Sequence, residues 1–260
     1  MSTLLRKNPV GETLGAGGTS YGLMAFEFFT PGLMPALAAA GAEWVVLDME
    51  HSGAGIETMK AMLAAARGLP VAPIVRVPGS EYHLIAPVLD AGAMGIMVPM
   101  VETAGQAQKI AAWCRYRPQG VRGLAFGVAH DDYTGGDVVQ KMAEANARTL
   151  VIALVETAQG IANADAIMAV PGVDIGWLGH YDLTATMGIP GQFDHPDFHA
   201  AVAALAGASA RHGKAAGILA GSLAMARDFR ARGFRCIGYG TDLSLLQGAL
   251  AEGIASLKAD

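Results

Sequence analysis

The side chains best suited to chemistry in this sequence stand just after short apolar runs. WVVLD is followed by Met-Glu-His and so presents Asp48, Glu50 and His51; APIVR ends on Arg76; LVIALV runs into Glu156; VDIGWL leads through Gly179, His180 and Tyr181 to Asp182. If these runs are strands of one closed sheet, their ends converge on one mouth. Glu156 and Asp182 then follow neighbouring strands, and two like charges that close need a cation between them. Hard oxygen ligands without Cys or paired His suit Mg2+, or Mn2+ and Co2+ in the same octahedral environment, better than structural zinc. Either carboxylate could instead cap the helix after it, in ETAQG and DLTATMG. Arg76 is the one charge in APIVRVPG, and its guanidinium is shaped for two-point recognition of a substrate carboxylate or for an internal bridge to Asp48 or Glu50. His51 brings an imidazole that can take or deliver a proton with Asp48 or Glu50 fixing its tautomer, unless it only hydrogen-bonds its own loop.

Other chemistries lack their residues. Lys7, Lys60, Lys109, Lys141, Lys214 and Lys258 all lie away from the carboxyl ends of the apolar runs, which disfavours Schiff-base and pyridoxal phosphate catalysis. A His-Glu-x-x-His helix, a Gly-x-Gly-x-x-Gly after the first strand and a Gly-Lys-Ser/Thr loop are all missing, and the Gly-x-Ser-x-Gly at residues 18–22 leads into an expected strand and so is no strand-to-helix elbow. A metal is then left to stabilise any carbanion-like charge.

The elements that must position these residues follow an alternating pattern. Strands are expected at 21–28, 44–48, 72–76, 95–99, 150–155, 173–178, 215–219 and 236–240. Between them PGLMPALAAAG, IETMKAMLAAARG, EYHLIAPVLDAG, HPDFHAAVAALAGASARHG and SLAMARDFRARG have helical periodicity and end in glycine. A short glycine-rich run at 122–127 is a ninth strand candidate, inside a segment 118–135 that reads as a functional loop before the helix DVVQKMAEANAR. Eight strand–helix units, closed by LSLLQGALAEGIASL, predict a single (β/α)8 TIM barrel domain over residues 1–260, with a doubly wound open sheet as the other arrangement.

Composition bounds the partners. The chain is 52% hydrophobic with a net charge of −5 and scattered basic residues, so no nucleic-acid or polybasic membrane surface is expected and small-molecule chemistry is. Cys114 and Cys236 stand apart without metal-site spacing and are expected as buried thiols. No long apolar signal region or bilayer-length run appears, which points to a cytoplasmic protein.

Several stretches, in this order and spacing, carry a resemblance: WVVLDMEHS (44–52), IVRVP (74–78), VLDAGAMGIMVPMV (88–101), YRPQGVRG (116–123), LVET (154–157), LGHYDLTATMG (178–188), GILA (217–220) and YGTD (239–242). Over nearly its full length the chain resembles the HpcH/HpaI family of class II pyruvate aldolases. The resemblance implies a (β/α)8 barrel with an exchanged C-terminal helix, assembled as a trimer or hexamer, that cleaves 4-hydroxy-2-oxo acids to pyruvate and an aldehyde. By position Glu156 and Asp182 resemble the divalent-metal ligands, and Arg76 the contact to the bound oxo acid. His51 paired with Asp48 resembles the acid/base element. Gly179, His180, Tyr181 and Leu219 fall at substrate-binding positions, and Asp90 at one that reaches the site from a neighbouring subunit. Arg122 lies in a turn near the site opening.

The sequence also departs from that pattern. His180 and Tyr181 replace the usual Pro-x of Gly-Pro-x-Asp-Leu, Leu154 stands where relatives often carry Gln, and Met24 replaces a common aromatic. His180 could steer a polar acceptor or simply pack. Two other readings keep the barrel: a CoA-thioester lyase of the citryl- or malyl-CoA type, for which no basic or glycine-rich nucleotide groove is evident, and a non-catalytic oxo-acid-binding barrel.

Overall fold

Parallel strands covered on both faces read as unbroken apolar runs, and the side chains along each run alternate between two environments. In the computed structural model, which describes residues 3–259, eight such strands form: β1 Ser20–Ala25, β2 Trp44–Asp48, β3 Ala72–Arg76, β4 Gly95–Val98, β5 Leu150–Val155, β6 Ile175–Leu178, β7 Ala215–Ala220 and β8 Phe234–Thr241. Each pairs in parallel with the next, and β8 pairs back with β1, closing the barrel. The helices are α1 Pro9–Gly15, α2 Leu33–Ala39, α3 Ile56–Ala65, α4 Tyr82–Asp90, α5 Ala104–Cys114, α6 Val138–Arg148, α7 Ala158–Ala162, α8 Ala164–Met168, α9 His180–Thr186, α10 Pro196–Arg211, α11 Leu223–Ala231 and α12 Asp242–Ala259. This is a (β/α)8 barrel, as expected, and the open sheet is excluded.

The alternation decides where the chemistry sits. Trp44 and Val46, Ala72 and Ile74, Leu150, Ile152 and Leu154, and Ile175 and Trp177 fill the barrel interior. Their neighbours Val45 and Leu47, Val75, Val151, Ala153 and Val155, and Leu178 pack outward under the helices. One more inward step brings Asp48, Arg76, Glu156 and Gly179 to the carboxyl ends of β2, β3, β5 and β6. The interior is filled by Trp44 and Trp177, whose rings meet edge to face at 5.6 Å. Both need a glycine across the sheet: a Cβ on Gly22 or on Gly217 would lie 2.3 Å from the Trp44 or Trp177 ring.

Four details bear on the sequence-based expectation. The first strand stops at Ala25 rather than 28, because the N–H groups of Phe26, Glu27 and Phe28 all donate to the carboxylate of Asp242. Residues 122–127 form no strand and stay in the loop expected at 118–135: Gly123 N–H donates to Tyr82 Oη, Gly127 N–H to Asp131, and Arg122 pairs with Asp90. An unanticipated helix, α1, plugs the amino end of the barrel with Val10 and Leu14. Asn8 anchors it, donating to the carbonyls of Met94 and Arg148 and accepting from Val10 N–H. Finally, α12 exposes an apolar stripe of Leu246, Leu250, Ile254 and Leu257. Cys114 and Cys236 are buried free thiols, as expected. Among the described residues, no helix is long and apolar enough to cross a membrane.

Candidate active site

Asp48 and Arg76 are register partners on adjacent strands, so their side chains emerge side by side. Asp48 is fully buried and saturated with donors. Its Oδ1 accepts Arg76 Nε at 2.6 Å and Glu50 N–H at 3.1 Å, and its Oδ2 accepts His51 N–H at 2.9 Å. Arg76 Nη1 stands 3.3 Å from Glu50 Oε2, and its guanidinium carbon lies 5.2 Å from the centre of the Phe26 ring. The internal bridge and the substrate role, alternatives in the sequence, are therefore compatible. Two nitrogens of Arg76 are held in place, while the buried Nη2 has no partner among the described residues.

One pairing needs correction. The expected His51–Asp48 pair exists only through the backbone of His51. The imidazole itself is exposed, and its Nε2 lies 3.6 Å from Glu50 Oε2. Glu50 is thus the carboxylate that links the histidine to the arginine. Burial, first of all, pushes its carboxyl above the usual range, and the charges of Asp48 and Asp182 add to this against the pull of Arg76 and His51.

Glu156 follows β5 on the other side of the mouth and is buried. It does not cap the next helix: Thr157 does, its hydroxyl accepting from Gly160 N–H. Nor is Asp182 the cap of α9, whose N-cap is Gly179; the aspartate projects from the first turn and is exposed. Met100 N–H donates to Glu156 Oε1 at 2.8 Å. Burial raises the Glu156 carboxyl to about 7, with the charges of Glu50 and Asp182 adding and those of Met100 N–H and Arg76 subtracting. Four carboxylates, those of Asp48, Glu50, Glu156 and Asp182, around one guanidinium leave negative charge in excess.

The remaining sequence-predicted residues divide. His180 is buried, its ring centre 4.5 Å from that of Tyr181 and 5.2 Å from that of Phe193, and burial drives its pKa down to about 4. It packs as a neutral ring. Tyr181 is exposed at the rim, and Leu219 caps the interior core from β7. Asp90 is not brought to the mouth of its own barrel; it ends α4 and accepts Arg122 Nη2 at 2.7 Å. Sequence reasoning missed Met100 and Phe26 as site neighbours, while Glu50 takes both places offered to it as an alternative to Asp48, beside Arg76 and beside His51. Neither Met100 nor Phe26 carries a sequence signal for that place.

The donor set fits a hard divalent cation. Glu156 and Asp182 could supply oxygen ligands beside uncompensated negative charge. Among the described residues no three His, Cys, Asp or Glu side chains form a closed metal cage. Two carboxylates, with substrate and water oxygens completing the shell, is how Mg2+-type ions are commonly held.

Comparison with known proteins gives the family. Residues 26–249, which carry Asp48, Arg76, Glu156 and Asp182, match the family model described as HpcH/HpaI aldolase/citrate lyase. The chain belongs to this family. Both activities in the family's name break carbon–carbon bonds, and the chain is an enzyme of that lyase class. It is 38% identical to a hydroxypyruvate/pyruvate aldolase of Chromohalobacter salexigens over 254 residues, covering 98% of this chain and 99% of the relative. It is likewise 38% identical to a 5-keto-4-deoxy-D-glucarate aldolase of Shigella dysenteriae over 213 residues, 82% of each chain. Among solved structures, an HpcH/HpaI aldolase/citrate lyase family protein from Burkholderia cenocepacia superposes with a TM-score of 0.90 at 34% identity, covering 97% of this chain and 100% of that one.

Proposed function

We propose that this chain is a divalent-metal-dependent aldolase that reversibly cleaves 4-hydroxy-2-oxo acids to an aldehyde and pyruvate, or a close 2-oxo acid such as hydroxypyruvate. The observation that carries the reading is the unpartnered Nη2 of Arg76, buried and held by Asp48 and Glu50 in the same strand-end cluster as Glu156 and Asp182. A buried guanidinium nitrogen without a partner is costly, and an oxo-acid oxygen would satisfy it. The names of the aldolase relatives support the substrate class.

Glu156 and Asp182 would hold the cation, with Mg2+, Mn2+ and Co2+ all suited to the oxygen donors. When bound, it supplies fixed positive charge where negative charge builds on the oxo acid. Arg76 hydrogen-bonds an oxygen of the same oxo acid, and Asp48 prevents the guanidinium from swinging away. His51, exposed and next to Glu50, takes the proton of the C4 hydroxyl as the C3–C4 bond breaks. The bond's electron pair passes to the three-carbon fragment, C4 leaves as the aldehyde carbonyl, and the proton returns to C3 to give the methyl group. Gly179, Tyr181 and Leu219 border the acceptor side, with His180 shaping it by packing rather than by charge.

The same reading takes the protein as a cytoplasmic homo-oligomer, a trimer or hexamer with α12 exchanged between subunits. The exposed stripe of Leu246, Leu250, Ile254 and Leu257 supports that arrangement. Asp90 would then serve a neighbour's site.

The test is retro-aldol cleavage of a panel of 4-hydroxy-2-oxo acids with and without chelator. Loss of pyruvate release on chelation, restored by Mg2+, Mn2+ or Co2+, is the expected result. Turnover indifferent to chelator, or failure on the entire panel, would overturn it. Exchange of pyruvate methyl protons with D2O, in Mn2+ and without CoA, separates this reading from a CoA lyase and from a non-catalytic barrel.

A further inference from the structure

Glu156 is held in a way that a buried carboxylate beside other acids does not require. β4 ends at Val98, and Pro99 has no N–H to give. The next donor is Met100, whose backbone is left-handed at φ 55°, a conformation uncommon outside glycine, asparagine and aspartate. The turn is pinned on its far side by Val101 N–H donating to the Leu154 carbonyl. Its product is the 2.8 Å hydrogen bond from Met100 N–H to Glu156 Oε1. The Met100 side chain is about half exposed, so burial of that side chain does not account for the unusual backbone.

The other oxygen is treated differently. Glu156 Oε2 lies over Gly179, where an added Cβ would stand 2.5 Å from Oε2 and 2.5 Å from Glu156 Cβ. Gly179 has φ −89°, which any residue tolerates, so the glycine is there for space and not for its backbone. One oxygen is thus occupied by a strained peptide, and the other has room made for it over Gly179, three residues before Asp182. Backbone outliers of this kind cluster where a ligand must be presented in one orientation.

We infer that Met100 and Gly179 are positioning residues that present Glu156 to the divalent cation through Oε2 alone. Resting on the metal-dependent reading above, the inference adds which oxygen binds and what enforces it. A carboxylate free to rotate would offer both oxygens and shift its partner Asp182 out of register with the substrate. The Met100 peptide removes that freedom before the cation arrives.

The experiment is Mn2+ affinity of the metal-stripped, full-length protein by calorimetry, with circular dichroism melts to show that each variant is folded. Met100→Gly and Met100→Asn keep the N–H and tolerate the left-handed backbone, and their Kd is expected to match the parent. Met100→Ile disfavours that backbone, and Gly179→Ala fills the space under Oε2. Each should weaken Mn2+ binding by about 10-fold or more, the usual consequence of removing a residue that orients a metal ligand. A merely structural role would lower melting temperatures without separating isoleucine from asparagine in Kd. Should either variant fail to fold, the other arm still decides. Parent-like Kd in folded Met100→Ile or Gly179→Ala overturns the inference while leaving the metal site standing. Absence of Mn2+ binding dependent on Glu156 in the parent protein overturns both.

Discussion

Asp48→Asn perturbs the site at its most tightly coupled point. The parent carboxylate accepts three hydrogen bonds, from Arg76 Nε at 2.6 Å and from the N–H groups of Glu50 and His51 at 3.1 and 2.9 Å, with no exposed surface. An asparagine oxygen at the Oδ1 position keeps Arg76 and Glu50 but turns its NH2 against His51 N–H. Flipped, it turns the NH2 against Arg76. Either way a buried donor faces a donor, and Arg76 is left with Glu50 at 3.3 Å as its nearest counter-charge. Removing one member of a buried ion pair costs about 3–5 kcal/mol. At about 2–4 °C per kcal/mol for a domain of this size, the melting temperature should fall by roughly 6–20 °C. Retro-aldol kcat/KM should fall by about 100-fold, because a donor aimed at developing charge loses its aim. Differential scanning calorimetry and a coupled pyruvate assay read the two effects. Arg76→Met and the double variant Asp48→Asn/Arg76→Met complete the cycle, and the double variant should be no less stable than Asp48→Asn, since the stranded charge is gone. A loss under about 1 kcal/mol, with kcat/KM within about 3-fold of the parent, would refute the claim that Asp48 holds Arg76.

Lys141→Met should cost about 3–5 kcal/mol in urea unfolding, because it strands Asp131, which is fully buried and pairs with Lys141 Nζ at 2.7 Å. Burial opposes the Asp131 charge, but hydrogen bonds from Lys141 and Gly127 N–H outweigh it and hold the carboxyl below its usual value. The pair's contribution is therefore full above the unfolded carboxylate pKa of about 4 and disappears as pH falls through the lower folded value, so the parent–variant gap should close on the acid side. Trp177→Ala empties the barrel interior beside Trp44 and should cost about 3–5 kcal/mol, measured by the same unfolding curves.

What could be read from the sequence was whatever depends on short-range periodicity. Trp44, Val46 and Asp48 share one parity, as do Ile74 and Arg76 and Leu154 and Glu156, so the apolar interior itself predicts that the next residue of each set faces the mouth. Features set by distant parts of the chain were not legible. β1 looks continuous through Phe28, yet its N–H groups turn to Asp242, more than 200 residues away in the chain. His51 looked like a partner for Asp48 until the turn after β2 brought backbone donors to that carboxylate first. The segment 122–127 has strand-like composition, but β4 pairs directly with β5 and leaves it no edge to join, so it remains the loop that its glycines indicated. α1 carried a local signal, Asn8 before Pro9, but its seven residues are too few to show a helical period. Nothing in VPMV announces a left-handed methionine.

The account rests on Glu156 and Asp182 holding one divalent cation beside Arg76. Anomalous diffraction at the manganese edge, from crystals soaked in Mn2+ and pyruvate, tests this directly. The prediction is one peak per chain bridged by those two carboxylates, with a pyruvate oxygen in reach of Arg76 Nη2. A peak elsewhere, or none at those carboxylates while pyruvate is bound, would contradict it.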